Sequence, residues 1–85
     1  SHDQAEALVA DVMRSMGWHV DPVHDSHDGA DLLVDKGGQR FVVEVKSLAE
    51  ARADRALPLL SLAVLQAKAH ARAMRGARPL AVLVV

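Results

Sequence analysis

Two adjacent glycines, Gly37 and Gly38, stand between strand-forming runs and constrain this chain more than any other feature. Glycine accepts the positive φ that both centres of a two-residue hairpin turn require. Ala30 to Asp35 and Arg40 to Lys46 are therefore expected to pair as antiparallel strands. The turn sets the register: Lys36 opposite Gln39, Asp35 opposite Arg40, Val34 opposite Phe41, Leu33 opposite Val42, Leu32 opposite Val43, and Asp31 opposite Glu44. Side chains alternate along a strand, so the hairpin sorts into two faces. Ala30, Leu32, Val34, Phe41, Val43 and Val45 make one wholly apolar face. Asp31, Leu33, Asp35, Arg40, Val42, Glu44 and Lys46 make the other.

On that mixed face Asp35 and Arg40 form a sensible charge pair near the turn. Asp31 and Glu44 do not. Two carboxylates directly opposite have Cβ atoms roughly 4.5–5.5 Å apart, and like charges there are destabilising unless a cation lies between them. Lys46 projects from the same face, about 6–7 Å further along the strand. Paired carboxylates suit Mg²⁺, a hard ion that prefers oxygen ligands. A lysine beside such an ion can orient a water or stabilise phosphoryl charge. The alternative is a charged, solvent-facing sheet surface in which Lys46 merely neutralises a carboxylate. Leu33 and Val42 argue against it, because they call for partial cover by a helix.

The remaining elements follow from periodicity. Ala5, Leu8, Val9, Val12, Met13 and Met16 recur at helical spacing over residues 3–16, with Asp3 as cap and Gly17 as stop. A short strand is expected near 18–23, followed by a polar loop from His24 to Gly29. Residues 49–56 read as a loose helical turn. A helix is expected from Pro58 or Ser61 to Arg75, closed by Gly76, and Leu80 to Val85 reads as a buried strand. The order α-β-β-β-α-β predicts a three-layer α/β/α domain with a four-stranded mixed sheet ordered 1-2-3-4. Its last two strands are parallel through a right-handed crossover.

Composition bounds what such a domain can do. The 85 residues make one domain, 1–85, with Ser1-His2 fitting a vector remnant. Phe41 and Trp18 are the only aromatic residues, so the core is built from small aliphatic side chains. A core that slight often leans on a partner surface. A homodimer, or a place within a larger multidomain protein, is expected. The absence of cysteine excludes disulfides and cysteine zinc sites. No apolar run approaches the roughly 20 residues that span a bilayer, and the expected setting is cytoplasmic. Residues 1–39 carry eight acids and two bases, whereas residues 40–85 carry eight bases and three acids. Such asymmetry is expected where one region collects cations and another faces phosphates, though two ordinary solvated faces would look the same.

Asp31, a twelve-residue gap and then Glu44-Val45-Lys46, set in this element order, resembles the PD-(D/E)XK nuclease superfamily, the restriction-endonuclease-like fold. The resemblance spans roughly residues 3–85, with Ala30 where many members have proline. It implies a metal-dependent endo- or exodeoxyribonuclease, a hydrolase that leaves 5′-phosphate and 3′-hydroxyl ends on DNA. Asp31, Glu44 and the Val45 carbonyl would bind Mg²⁺, for which Mn²⁺ can substitute, and Lys46 would assist the attacking water. Glu6 matches a glutamate that several branches place on the first helix as an added metal-shell group. It also fits a capping box after Asp3. Gln66 and His70 interrupt the apolar stripe Leu59, Leu62, Ala63, Ala73, and a buried amide needs partners. They resemble the Q-x-x-x-Y motif of exonuclease-type members, with His70 in the tyrosine position. Gln66 is thus expected to line the site.

Lys68, Arg72, Arg75 and Arg78 fit phosphate contact and plain solvation equally. His24-Asp25-Ser26-His27-Asp28 offers metal-ligating groups without a third fixed imidazole, and His19 and His2 receive no role. Two other readings remain open. One is a catalytically inactive nuclease-like domain that binds DNA within a larger assembly. The other is a purely structural dimerisation domain.

Overall fold

A computed structural model describes residues 2–22, 31–48 and 52–85. Six elements follow the expected order: α1 (His2–Ser15), β1 (His19–Pro22), β2 (Leu32–Lys36), β3 (Gln39–Ser47), α2 (Ala53–Ala73) and β4 (Ala77–Val84). The strands form one sheet ordered β1-β2-β3-β4. β2 runs antiparallel to β1 and β3, and β4 runs parallel to β3. Gly37 and Gly38 adopt φ of 58° and 82°. The hairpin keeps the expected register from Lys36–Gln39 to Leu32–Val43.

The apolar hairpin face carries the main core. Leu32, Val34, Val43 and Val45 are buried there with Ala5, Val9 and Ala10 of α1 and Val20 of β1. Phe41 packs on the same core and meets Trp18 edge-on at 5.5 Å between ring centroids. On the other face α2 lies over β3 and β4. Val42 and Ala71 are buried there, with Leu33, Met74 and Ala77 against them. A small-residue row, Ala63, Ala67 and Ala71, forms the inward stripe of α2.

That stripe corrects the expected one. Leu62 is exposed, and so is Ala73, because alanines at four-residue spacing let the helix approach more closely than leucines would. The helix also starts earlier than expected, at Ala53, and Pro58 lies inside it rather than at its first position. Pro58 gives up one i→i−4 bond. Helix-favouring residues before it and Asp54 in the first turn, at the positive end of the helix dipole, offset that loss. Asp3 likewise lies within the first turn of α1 and is not its cap. β4 starts at Ala77 and is a half-buried edge strand, not a fully buried one. An edge tolerates Pro79, which has no N–H to donate. Asp35 and Arg40 are partners in the register, yet they make no ion pair among the described residues.

The core is thin, with Leu8 and Val12 of α1, Met16 just beyond it, and Leu57 and Leu65 of α2 exposed. Leu32, central to the α1 face, is the largest side chain buried to 2% or less. Leu32→Ala is expected to cost about 2–5 kcal/mol in urea denaturation. A loss below roughly 1 kcal/mol would contradict its place at the centre of the core.

Candidate active site

The site begins where the β2–β3 ladder stops being regular. After the Leu32–Val43 pair, the Asp31 N–H donates to the Val43 carbonyl at 3.2 Å. The Asp31 side chain then takes over the role of a backbone acceptor, its Oδ2 receiving the Val45 N–H at 2.7 Å. β2 therefore starts at Leu32, and Asp31 lies just outside it instead of forming a further rung opposite Glu44. The carboxylate is held at the end of the sheet, where it reaches α1 on one side and acts on Glu44 on the other.

Glu44 projects from the central strand on the α2 face and is the one buried charged residue among those described, 4% exposed. Its Oε1 lies 3.7 Å from Lys46 Nζ, and its Oε2 lies 3.9 Å from His70 Nε2. Both separations exceed a hydrogen bond, and Glu44 Oε2 has no hydrogen-bond partner among the described residues. Burial pushes the Glu44 carboxyl up to about 7; the Asp31 charge adds to the rise and Lys46 opposes it. Gln66 Oε1 is also buried without a hydrogen-bond partner among the described residues. Gln66 and His70 flank the alanine stripe of α2, and this brings His70 to Glu44.

On α1, Glu6 Oε1 lies 2.7 Å from His2 Nε2, which lies 3.3 Å from Asp31 Oδ1. Ligand atoms of these three side chains all fall within 4.8 Å of one another. Partial burial, and then the hydrogen bond and charge of Asp31, raise the pKa of Glu6, while His2 opposes them. Partial burial lowers that of His2, but the hydrogen bonds and charges of Asp31 and Glu6 outweigh it and raise it overall. Glu6 thus turns toward the acids, which the capping-box alternative did not require. His2 was given no role from sequence. The one signal available was its i,i+4 spacing from Glu6 on a helix. The His24–Asp28 cluster lies outside the described residues.

Comparison with known proteins matches residues 1–76 to the model of the restriction endonuclease family, of the Mrr catalytic-domain type. The chain belongs to this family. It is therefore a member of the PD-(D/E)XK superfamily, and its α-β-β-β-α-β order agrees with the restriction-endonuclease-like fold. No curated protein and no solved structure gives a significant match.

Membership in the restriction endonuclease family implies a nuclease domain that uses a divalent metal and acts on DNA. Two observations test whether this chain suits a cation. Glu44 Oε2 is a buried carboxylate oxygen without a hydrogen-bond partner among the described residues, a costly arrangement unless something positive approaches it. A side-chain imidazole sits between Glu6 and Asp31, which marks that point as attractive to positive charge. The acids fit such an ion.

Glu44 gives the metal-free protein a characteristic pH dependence. Between its ordinary value of 4.5 and about 7, the folded chain keeps a proton that the unfolded chain has lost. Stability therefore falls as pH rises through that window, by roughly 3 kcal/mol. Glu6 and His2, both raised on folding, contribute further falls of the same sign. Urea denaturation in chelator from about pH 5 to 8 should show the decline, and Glu44→Gln should remove most of it. An unchanged slope in the variant would contradict the assignment of the decline to Glu44.

Proposed function

We propose that this domain hydrolyses DNA phosphodiester bonds, with Asp31, Glu44 and Lys46 as its catalytic centre and Mg²⁺ as its cofactor. The observation that carries the reading is the buried Glu44, with one oxygen lacking a hydrogen-bond partner among the described residues, set between the charge of Asp31 and the ammonium of Lys46. Asp31, Glu44 and the Val45 carbonyl would hold the ion, with Glu6 in its outer shell. When bound, the ion supplies Lewis acidity to the phosphoryl oxygens and lowers the pKa of a nearby water.

The chain's own groups do the rest. Asp31 is oriented by the Val45 N–H, so its remaining oxygen is aimed by the backbone rather than by a mobile rotamer. Lys46 orients the attacking water and presents a fixed positive charge to the non-bridging oxygens as negative charge builds on them. Gln66, whose buried Oε1 has no hydrogen-bond partner among the described residues, would line the site and accept a hydrogen bond there. Water attacks phosphorus in line, the bond to the 3′ oxygen breaks, and a proton passes to that oxygen. The products are a 5′-phosphate and a 3′-hydroxyl.

The test is cleavage of mixed linear and circular DNA with Mg²⁺ or Mn²⁺. Asp31→Asn retains an acceptor for the Val45 N–H, and Lys46→Ala truncates a partly exposed side chain, so both variants should fold with unchanged circular dichroism. Each should lose at least about 100-fold in rate. Full activity in either variant would refute the assignment. Salt-sensitive DNA binding without nicking in the wild type would assign the domain to the non-catalytic module instead.

A further inference from the structure

The cations of this domain divide into two groups. Arg14 reaches Asp11 and the Val20 carbonyl, Lys36 donates to the Met16 carbonyl, Lys46 lies beside Glu44, and Arg52 grips Asp54. Arg40, Arg55, Lys68, Arg72, Arg75 and Arg78 make no ion pair or side-chain hydrogen bond among the described residues. Two of this second group converge. Arg40, at the start of β3, and Arg75, just beyond α2, line a groove of about 350 Å³ together with Gly38, Gly76 and Asp35.

Three features mark the groove as more than a solvated corner. Arg40 stands opposite Asp35 in the hairpin register, and its guanidinium still makes no ion pair among the described residues. At Gly38 and Gly76 nothing lies within 4 Å of the point a Cβ would occupy, so a ligand can approach both backbones closely. The residues also share the site's face: Arg40 precedes Glu44 by four positions on β3, about 13 Å along the strand. The dipole at the end of α2 is enough to explain a cation at Arg75. It does not explain Arg40, which belongs to a strand. A pair of planar guanidinium forks around an open backbone suits a phosphodiester, which arginine can grip through two oxygens.

We propose that the Arg40–Arg75 groove is a phosphate-binding subsite that holds the backbone of the DNA substrate away from the scissile bond. At ~3.4 Å of axial rise per nucleotide, a separation of about 13 Å corresponds to about four nucleotides. The position relative to the scissile bond rests on the nuclease reading, whereas backbone binding at the groove does not. Asp35 is the repulsive element of the same groove and tempers its affinity.

The experiment is fluorescence anisotropy of a labelled DNA duplex with the full chain in chelator and low salt, so that no hydrolysis occurs. Arg40→Gln and Arg75→Gln should each weaken binding about three- to tenfold and lower the salt slope by about 1. The double variant should lose more than tenfold. Asp35→Asn should tighten binding, a change that nonspecific damage to the fold would not produce. Arg40→Lys and Arg75→Lys, which keep the charge, should recover part of the loss.

Unchanged affinity in the double variant, or no duplex binding by the wild type, would overturn the proposal. So would competition by inorganic phosphate at the groove with no effect of the arginines on duplex affinity. Cleavage with Mg²⁺ is scored separately. Arginine-dependent binding without cleavage would sink the nuclease reading and leave the subsite standing. Cleavage with arginine-independent binding would do the reverse.

Discussion

The 2.7 Å hydrogen bond from the Val45 N–H to the Asp31 carboxylate joins the sheet to its chemistry. It ends the regular β2–β3 ladder one residue before Asp31 would have become an ordinary rung, and it leaves a carboxylate where a backbone carbonyl would have been. From that point Asp31 can face Glu6 and His2 of α1 while its charge still raises Glu44 on the opposite side. A buried glutamate beside a second acid is a local conflict that a purely structural sheet has no reason to keep. Such conflicts concentrate where a protein has a task to perform.

The hairpin, and with it the strand that carries Glu44 and Lys46, is legible in the sequence. Gly37 and Gly38 set the register from Lys36–Gln39 to Leu32–Val43, and strand alternation assigns those side chains to their faces without reference to the rest of the fold, whereas Asp31 leaves the ladder and is positioned by its bond to the Val45 N–H. What could not be read was whatever depends on how one element lies against another. The His70 contact with Glu44 and the His2 bridge between Glu6 and Asp31 arise only once α2 and α1 have docked on opposite faces. The start of α2 is hidden in the sequence because proline suits a first helical position, whereas the helical preference of the residues before Pro58 outweighs one lost bond. Asp35 and Arg40 were correctly placed opposite each other, but a shared register position does not oblige two long side chains to pair.

The uneven charge along the chain acquires a spatial meaning in the fold. Glu6 and Asp31 of the acid-rich N-terminal half meet at one end of the β2–β3 pair, where the Asp31 charge acts on Glu44. Arg40 and Arg75, which make no ion pair among the described residues, meet at the hairpin end, on the face that α2 partly covers. α2 runs back along β3 and spans these two regions, with His70 toward one and Arg75 beyond the other. A single crossover connection thus sets both the chemical and the electrostatic geometry of this face.

The alanine stripe of α2 has a bearing on how such a domain can change. Ala63, Ala67 and Ala71 are spacers one methyl thick, and they decide how deeply the neighbouring Gln66 and His70 hang over the sheet. A bulkier residue at any of the three would act as a shim, lifting the helix and withdrawing both polar groups while every acid on the strands stayed in place. Members of the family could therefore adjust the reach of their site from the helix alone, by adding or removing a carbon at positions that never touch a substrate.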